Sequence, residues 1–292
     1  MVDQAKKLLN QEIDNNKPLI LLNHMRFDPS VLNYFPGDNT LKISIIRDPA
    51  TMFPSVFSHY KKECHAFIAA RTLENFLKDP DFFTEKYFKI DQTFSHNNML
   101  YDLGFSKCLK KGYLREEVCK IGDLIDELEK RYDLVLIMEY FDEAILLLKQ
   151  YLDFLSFEDL VYLKVHQWQI QNETDSIFIG EQSRSWNSLE FDIYRHFNKT
   201  FSKKIESIFG GIDSEKMLSE KAKLEFALIK FKQYYVTDDS SIAKLSSTGN
   251  KIIRYEVRSN LSDEQREYCE KTMRRPADWA KIIFDKQKST GT

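Results

Sequence analysis

Short runs in which every position is apolar recur along the chain and predict buried β-strands. Four such runs are Pro18–Leu22 (PLILL), Leu41–Ile46 (LKISII), Leu134–Met138 (LVLIM) and Leu160–Val165 (LVYLKV). A strand with one wet face would alternate apolar and polar residues, so these runs indicate strands covered on both faces. We therefore expect a parallel sheet flanked by helices.

Between these runs, apolar residues recur at helical spacing. The predicted helices are Phe53–Lys62, Leu73–Leu77, Glu116–Arg131 and Glu143–Leu152. Alternating strands and helices predict an α/β layer fold. From Phe191 onward the pattern is mostly helical and charged. We expect an α/β core over residues 1–235 and a helical C-terminal extension over residues 236–292.

Composition narrows the function classes. The 292 residues are 42% hydrophobic, which is too apolar for a disordered chain. The 42 Lys and Arg against 45 Asp and Glu give a net charge of -3, so no basic excess points to nucleic acid. No apolar run approaches the roughly 18 residues of a membrane span, and the N-terminus lacks the layout of a signal peptide.

The cysteines and possible metal ligands point to no particular chemistry. The cysteines are Cys64, Cys108, Cys119 and Cys269. Four cysteines allow three disulfide pairings. The sequence neither selects one of these pairings nor excludes free thiols. His59 and His65 flank Cys64 but do not share a helical face, and no second ligand pair follows. We expect no metal.

The segment from Ile43 to Tyr60 (ISIIRDPATMFPSVFSHY) is a candidate anion site. Arg47 ends a predicted strand, Asp48-Pro49 opens a turn, and Ser55 is expected early in the following helix, one helical turn in. Ligands of parallel sheets bind at the carboxyl ends of strands, and the planar fork of Arg suits phosphate oxygens. The alternative is an ion pair between Arg47 and an acid such as Asp48 that ties strand to helix.

This segment resembles the 3′-phosphate-binding segment of sulfotransferases that use 3′-phosphoadenosine 5′-phosphosulfate (PAPS). The chain is more closely similar to the galactose-3-O-sulfotransferases, which include galactosylceramide sulfotransferase. The matching segments are Asn23–Phe27 (NHMRF), Asn98–Phe105 (NMLYDLGF), Leu134–Lys149, Trp186-Asn187, Leu189–Phe201 (LEFDIYRHFNKTF) and the Cys-x-x-x-Met around Cys269. Their order along the chain follows that of the family.

The resemblance implies a P-loop-like sulfotransferase fold and transfer of sulfate from PAPS to the 3-hydroxyl of a β-galactosyl residue on a glycolipid or glycan. Arg47 and Ser55 would hold the 3′-phosphate of the donor. The full-length protein would be anchored in the Golgi membrane, facing the lumen. In that compartment the three glycosylation sequons, at Asn172, Asn198 and Asn260, are expected to carry N-glycans.

Two residues compete for the role of general base. His24 follows the Pro18–Leu22 run and lies in the family motif, and a neutral imidazole there would accept the proton of the sugar hydroxyl. Glu139 ends the Leu134–Met138 run and is the rival. Arg26 is expected to bind sulfate or a sugar oxygen, or to pair with Asp28. Trp186 is expected to stack on galactose or adenine, or to belong to the core.

One element of the family pattern is not found in this sequence. PAPS sulfotransferases hold the 5′-phosphosulfate in an N-terminal strand–loop–helix with a Lys and a Ser-Ser-Thr-like run, which stabilises the leaving phosphate. We expect either a truncated sequence or a donor-deficient relative. The alternative function is therefore a catalytically deficient protein that binds nucleotide or glycan without sulfate transfer. A structural fragment with an exposed sheet edge is a further alternative.

Overall fold

The structure is a computed structural model that describes residues 26–34, 40–91, 95–105, 119–163, 166–167, 173–237, 251–252 and 255–274. The predicted strand Pro18–Leu22 lies outside these residues. The described part is mixed α/β with mostly helices. It divides into two compact units, one of residues 41–101 and 105–256, the other of residues 1–40, 102–104 and 257–292. This division does not test the predicted boundary at residue 235.

The larger unit contains a small parallel sheet. Strand β1 (Ile43–Ile46) pairs with β2 (Leu134–Ile137), with Ile43 opposite Leu134 and Ile46 opposite Ile137. All four residues of β2 are buried, as the unbroken apolar run predicts. The two predicted strands, their parallel pairing and the α/β character are thereby confirmed. The predicted burial on both faces is wrong for β1, where Ile46 is buried but Ile45 is 46% exposed.

Most of the described chain is helical. Up to Lys232 the α-helices are α1 (Pro49–Tyr60), α2 (His65–Ala70), α3 (Leu73–Lys78), α4 (Pro80–Asp91), α5 (Asn98–Asp102), α6 (Ile121–Arg131), α7 (Phe141–Tyr151), α8 (Glu173–Trp186), α9 (Ser188–Phe209) and α10 (Glu215–Lys232). Helix α9 packs against β2, and α1 runs against α8. The α1–α8 crossing is close, since a Cβ added at Gly180 would lie 3.5 Å from the Ala50 Cβ.

Shorter strands complete the larger unit. The strand β3 (His166–Gln167) pairs antiparallel with β5 (Lys251–Ile252). The strand β4 (Tyr235–Thr237) neighbours β6 (Tyr255–Val257). The expectation of a mostly helical chain after Phe191 holds for α9 and α10, and these short strands interrupt it.

The predicted strand Leu160–Val165 is wrong over its described residues. Leu160 ends a 3-10 helix (Glu158–Leu160), and residues 161–163 form no ladder. The Asp159 carboxylate accepts hydrogen bonds from the Ser156 backbone N–H and hydroxyl, at 2.8 and 2.7 Å. This local cap stabilises a turn, which buries Leu160 without a neighbouring strand.

An aromatic core lies under α1, α2 and α3. Phe53, Phe57, Phe67 and Phe76 are all buried, and the Phe57 and Phe67 ring centroids are 4.6 Å apart. Phe67 meets Phe76 edge to face at 5.1 Å. Such pairs add to the free energy gained by burying the rings, so this cluster fixes the position of α1. Cys64 is a buried thiol in the same cluster, whereas Cys119 is disulfide-bonded.

The smaller unit contains a 3-10 helix (Pro29–Tyr34) and α11 (Asp263–Met273). The Phe27 backbone N–H donates to the Asp102 carbonyl at 2.7 Å. The α11 helix starts with a capping box, in which Ser262 and Gln265 satisfy each other's backbone N–H groups. Cys269 is a second buried thiol, within α11.

Candidate functional site

The ends of β1 and β2 bring two of the predicted site residues to one edge. Because the strands are parallel and Ile46 lies opposite Ile137, Arg47 and Glu139 both follow at the carboxyl edge of the sheet. The Glu139 carboxylate accepts a hydrogen bond from the Asp48 backbone N–H at 3.0 Å and another from the Thr51 hydroxyl at 2.9 Å. Glu139 therefore ties the end of β2 to the turn between β1 and α1.

Asp48 caps helix α1. Its side chain accepts from the Ala50 backbone N–H at 2.9 Å, and its carbonyl accepts from Thr51 and Met52. Pro49 at the first helical position has no N–H to satisfy, which suits a helix start. An Asp carboxylate is favourable here because the N-terminus of a helix carries partial positive charge. The protein's own carboxylate thus takes the place that an external anion would have at this helix end.

Arg184 of α8 completes the site, and the sequence did not point to it. Its Nε lies 3.0 Å from Asp48 Oδ1, and its Nη2 lies 2.6 Å from Asp48 Oδ2, a two-point ion pair. The Asp48 side chain is 8% exposed, whereas that of Arg184 is 41% exposed. The guanidinium also lies 5.0 Å from the Phe191 ring centroid. A pairing across 136 residues leaves no local sequence signal.

Arg47 uses a different partner from the one that the ion-pair alternative names. Its Nε donates to the Thr51 hydroxyl at 2.9 Å, while the ion pair of Asp48 is with Arg184. Burial lowers the pKa of the Arg47 guanidinium, and the nearby carboxylates of Glu139 and Asp48 oppose that shift. Among described residues, none accepts a hydrogen bond from Arg47 Nη1 or Nη2. These two nitrogens can therefore serve a ligand.

Tyr194 of α9 is the phenol of this cluster. It is 7% exposed, and burial raises the pKa of its hydroxyl, with Glu139 and Asp48 adding to the effect. Tyr194 is thus a neutral phenol at physiological pH. The charged groups that act on its hydroxyl are the Glu139 and Asp48 carboxylates and the Arg184 guanidinium.

A comparison with protein-family models identifies the family of the chain. The galactose-3-O-sulfotransferase family model matches residues 5–276. The chain belongs to the galactose-3-O-sulfotransferase family. The resemblance seen in the sequence motifs is confirmed.

Several galactose sulfotransferases are similar to the chain. Mouse galactose-3-O-sulfotransferase 3 is 33% identical over 195 residues, covering 64% of the chain and 43% of that relative. Human galactose-3-O-sulfotransferase 2 is 28% identical over 265 residues, covering 86% and 64%. Human galactosylceramide sulfotransferase is 28% identical over 274 residues, covering 87% and 61%. The aligned part is thus less than half of the first relative. No solved structure matches the chain.

The other residues predicted to bind the sulfate donor or the sugar acceptor lie in different parts of the chain. Ser55 lies about two turns into α1 and is half-buried. Arg26 is exposed and belongs to the smaller unit. His24 and Asn172 lie outside the described residues. The structure thus brings together Arg47 and Glu139 and adds Asp48, Arg184 and Tyr194 to them.

Trp186 ends helix α8 in an aromatic and polar environment. Its indole N–H donates to the Ser95 carbonyl at 2.7 Å, and its ring lies 4.2 Å from the His96 ring and 6.1 Å from Phe76. The side chain packs against the aromatic core. These contacts favour the core role over the stacking role, which stays a prediction.

Two of the three sequons lie on described residues and differ in setting. Asn198 is half-buried within α9, and its side-chain oxygen is enclosed. Asn260 is exposed in the turn between β6 and α11, and Ser262 of its sequon caps α11. Asn260 is therefore the more accessible acceptor. Along the described helices, none is both long enough and apolar enough to cross a membrane.

Proposed function

We propose that this chain is the core of a PAPS-dependent sulfotransferase that transfers sulfate to the 3-hydroxyl of β-galactosyl residues on glycolipids or glycoproteins. Family membership and the names of the relatives support this proposal. The observation that carries it is the half-buried Arg47 at the carboxyl edge of β1 and β2, with two terminal nitrogens left for a ligand. The proposal includes a P-loop-like sulfotransferase fold.

The donor set at this edge fits a phosphate. A guanidinium offers paired N–H donors that match two phosphate oxygens, and partial burial strengthens such hydrogen bonds. Arg47 would bind the 3′-phosphate of the donor, and Ser55 would add a hydroxyl from the same helix. Glu139 and Thr51 keep the Arg47 side chain in place. The donor itself supplies the activated sulfate.

We assign proton removal from the sugar hydroxyl to His24 rather than to Glu139. The Glu139 carboxylate already accepts hydrogen bonds from Asp48 and Thr51, and it lies beside the Arg47 cation. Protonating it would weaken all three interactions. A histidine that is neutral near pH 7 accepts a proton without such a cost. Arg26 and Trp186 remain proposed acceptor contacts.

The setting of the full-length protein belongs to the same proposal. A galactosyl glycolipid or glycan acceptor, a Golgi membrane anchor and N-glycans at Asn172, Asn198 and Asn260 would accompany lumenal sulfation. No metal is required, because the leaving group is a phosphate that cationic side chains can stabilise.

The test measures binding and transfer separately. Calorimetry with adenosine 3′,5′-bisphosphate should show binding that Arg47→Ala abolishes. The exposed Arg195, which pairs with Asp192, offers the control Arg195→Ala, and its affinity should be unchanged. Transfer from PAPS to a β-galactoside is then followed by mass spectrometry. Binding without transfer would favour the catalytically deficient alternative, and a complete lack of nucleotide binding would overturn the proposal.

A further inference from the structure

We propose that Arg184 is a second guanidinium ligand of the donor's 3′-phosphate, together with Arg47, and that Asp48 holds it in position. This inference rests on the proposed function and adds a residue outside the Arg47–Ser55 segment. It makes the site selective for nucleotides that carry a phosphate monoester on the 3′ position. Arg184 comes from α8, far from Arg47 in sequence.

Asp48 is the structural link between the two arginines. It directly follows Arg47, and its carboxylate binds Arg184 through two nitrogens at 3.0 and 2.6 Å. The backbone N–H of Asp48 donates to the Glu139 carboxylate, and the charge of that carboxylate also attracts the Arg47 guanidinium. Both guanidinium groups are therefore fixed to the same turn. A two-point ion pair allows little freedom of rotation, so Arg184 is pre-oriented.

Arg184 keeps capacity for a ligand after pairing with Asp48. The contacts to Asp48 use Nε and Nη2, and no described residue accepts from Nη1. Its side chain is 41% exposed, although the carboxylate it binds is nearly enclosed. Nη1 is therefore the Arg184 nitrogen that remains for a ligand.

The Phe191 ring lies against two arginines, Arg184 and Arg195. The Phe191 ring has the Arg184 guanidinium carbon 5.0 Å from its centroid and the Arg195 guanidinium carbon 5.6 Å from it. Both arginines also pair with an aspartate, Arg184 with Asp48 and Arg195 with Asp192. They differ in place, because only the acid that binds Arg184 belongs to the turn that carries Arg47. Arg195 is therefore a matched control.

The charges explain why a phosphate monoester is the expected ligand. Both carboxylates are hydrogen-bonded within the protein, Asp48 to Ala50 and Arg184, and Glu139 to Asp48 and Thr51. Their lone pairs therefore face the protein's own donors, while no described residue accepts from Arg47 Nη1 and Nη2 or from Arg184 Nη1. A phosphate monoester carries close to two negative charges and three acceptor oxygens. Two guanidinium groups match it better than one.

The experiment compares Arg184→Gln with Arg195→Gln by calorimetry, using adenosine 3′,5′-bisphosphate and adenosine 5′-monophosphate as probes. We expect Arg184→Gln to weaken bisphosphate binding about tenfold or more, since one charge-assisted contact is lost. Affinity for the monophosphate should hardly change, so the ratio between the two nucleotides falls. Arg195→Gln should bind both nucleotides as the unmodified protein does.

Two further results separate the possible failures. If Arg184→Gln does not fold, Arg184→Lys replaces it, because Lys keeps the charge near Asp48 but loses the planar fork. Arg184→Lys should still weaken bisphosphate binding several-fold, because the variant loses one hydrogen bond to the phosphate. Unchanged bisphosphate affinity in a folded Arg184 variant, with binding lost in Arg47→Ala, would overturn this inference alone. Absence of bisphosphate binding in the unmodified protein would instead overturn the proposed function.

Discussion

The Glu139 carboxylate accepts the backbone N–H of Asp48 at 3.0 Å and so joins the two parallel strands beyond their last ladder pair. This hydrogen bond connects the end of β2 to the residue that caps α1 and binds Arg184. The position of both arginines therefore depends on one carboxylate at the edge of the sheet.

Substitution of Glu139 should separate a positioning role from a catalytic one. Glu139→Gln keeps an acceptor for Asp48 and Thr51, so we expect bisphosphate affinity and turnover within a few-fold of the unmodified protein. Glu139→Ala leaves the Asp48 N–H without its acceptor and should cost about 1–3 kcal/mol of unfolding free energy. Urea denaturation and transfer assays measure both effects. Abolished turnover in a Glu139→Gln protein that still binds bisphosphate would make Glu139 the base.

Substitution of His24 tests the base directly. If His24 removes the hydroxyl proton, His24→Ala should lose about 10²–10⁴-fold in turnover while bisphosphate binding is retained. The exposed His59 in the last turn of α1 supplies the control His59→Ala, which should keep turnover. Steady-state transfer assays with calorimetry give both quantities. Equal turnover in His24→Ala and the unmodified protein would remove His24 from the chemistry.

His96 should make the stability of the fold depend on pH. Burial lowers its pKa to about 4 from 6.5, although Nε2 lies 2.8 Å from the Trp186 carbonyl oxygen. An unfolded chain therefore binds a proton at His96 at a higher pH than the folded chain does. The contribution of neutral His96 is present above about pH 6.5 and is lost as the pH falls toward 4.

The measurement compares unfolding free energies at pH 7 and pH 5 for the unmodified protein and for His96→Gln. Gln keeps a donor for Trp186 but does not titrate in this range. We expect the unmodified protein to lose about 2 kcal/mol more than the variant between these two pH values. An identical pH dependence in both proteins would show that His96 is protonated as easily in the fold as in water.

The aromatic core should be the most sensitive part of the larger unit. Phe76 is fully buried among Phe53, Phe67 and Trp186, whereas Phe82 is 54% exposed. Phe76→Ala should cost about 3–5 kcal/mol of unfolding free energy because it leaves a cavity. Phe82→Ala is the control, and its cost should stay under about 1 kcal/mol. Chemical denaturation followed by circular dichroism measures both variants, and similar losses would contradict the assigned core.

The sequence predicts the parts of the fold that depend on local pattern. Continuous apolar runs gave the positions of β1 and β2, and helical spacing gave α3 and α7 to within a few residues. The strand predicted at Leu160 was wrong, because hydrogen bonds between Ser156 and Asp159 stabilise a turn. A count of apolar residues does not detect such a turn. Burial of Leu160 is the same in either case, so hydrophobicity cannot separate the two structures.

The sequence by itself determined the family, the parallel pair of strands and the position of Arg47 at a strand end, because motifs and burial patterns are written in consecutive residues. Only the tertiary structure decided that Asp48 pairs with Arg184, that Arg47 turns to Thr51 and that Glu139 holds the turn. The contacts of Glu139 with the turn and of Asp48 with Arg184 join residues 88 to 136 positions apart, whereas Arg47 and Thr51 are four positions apart. The long-range contacts form because α8 packs on α1 and β2 lies beside β1, and no local preference of the chain encodes that packing.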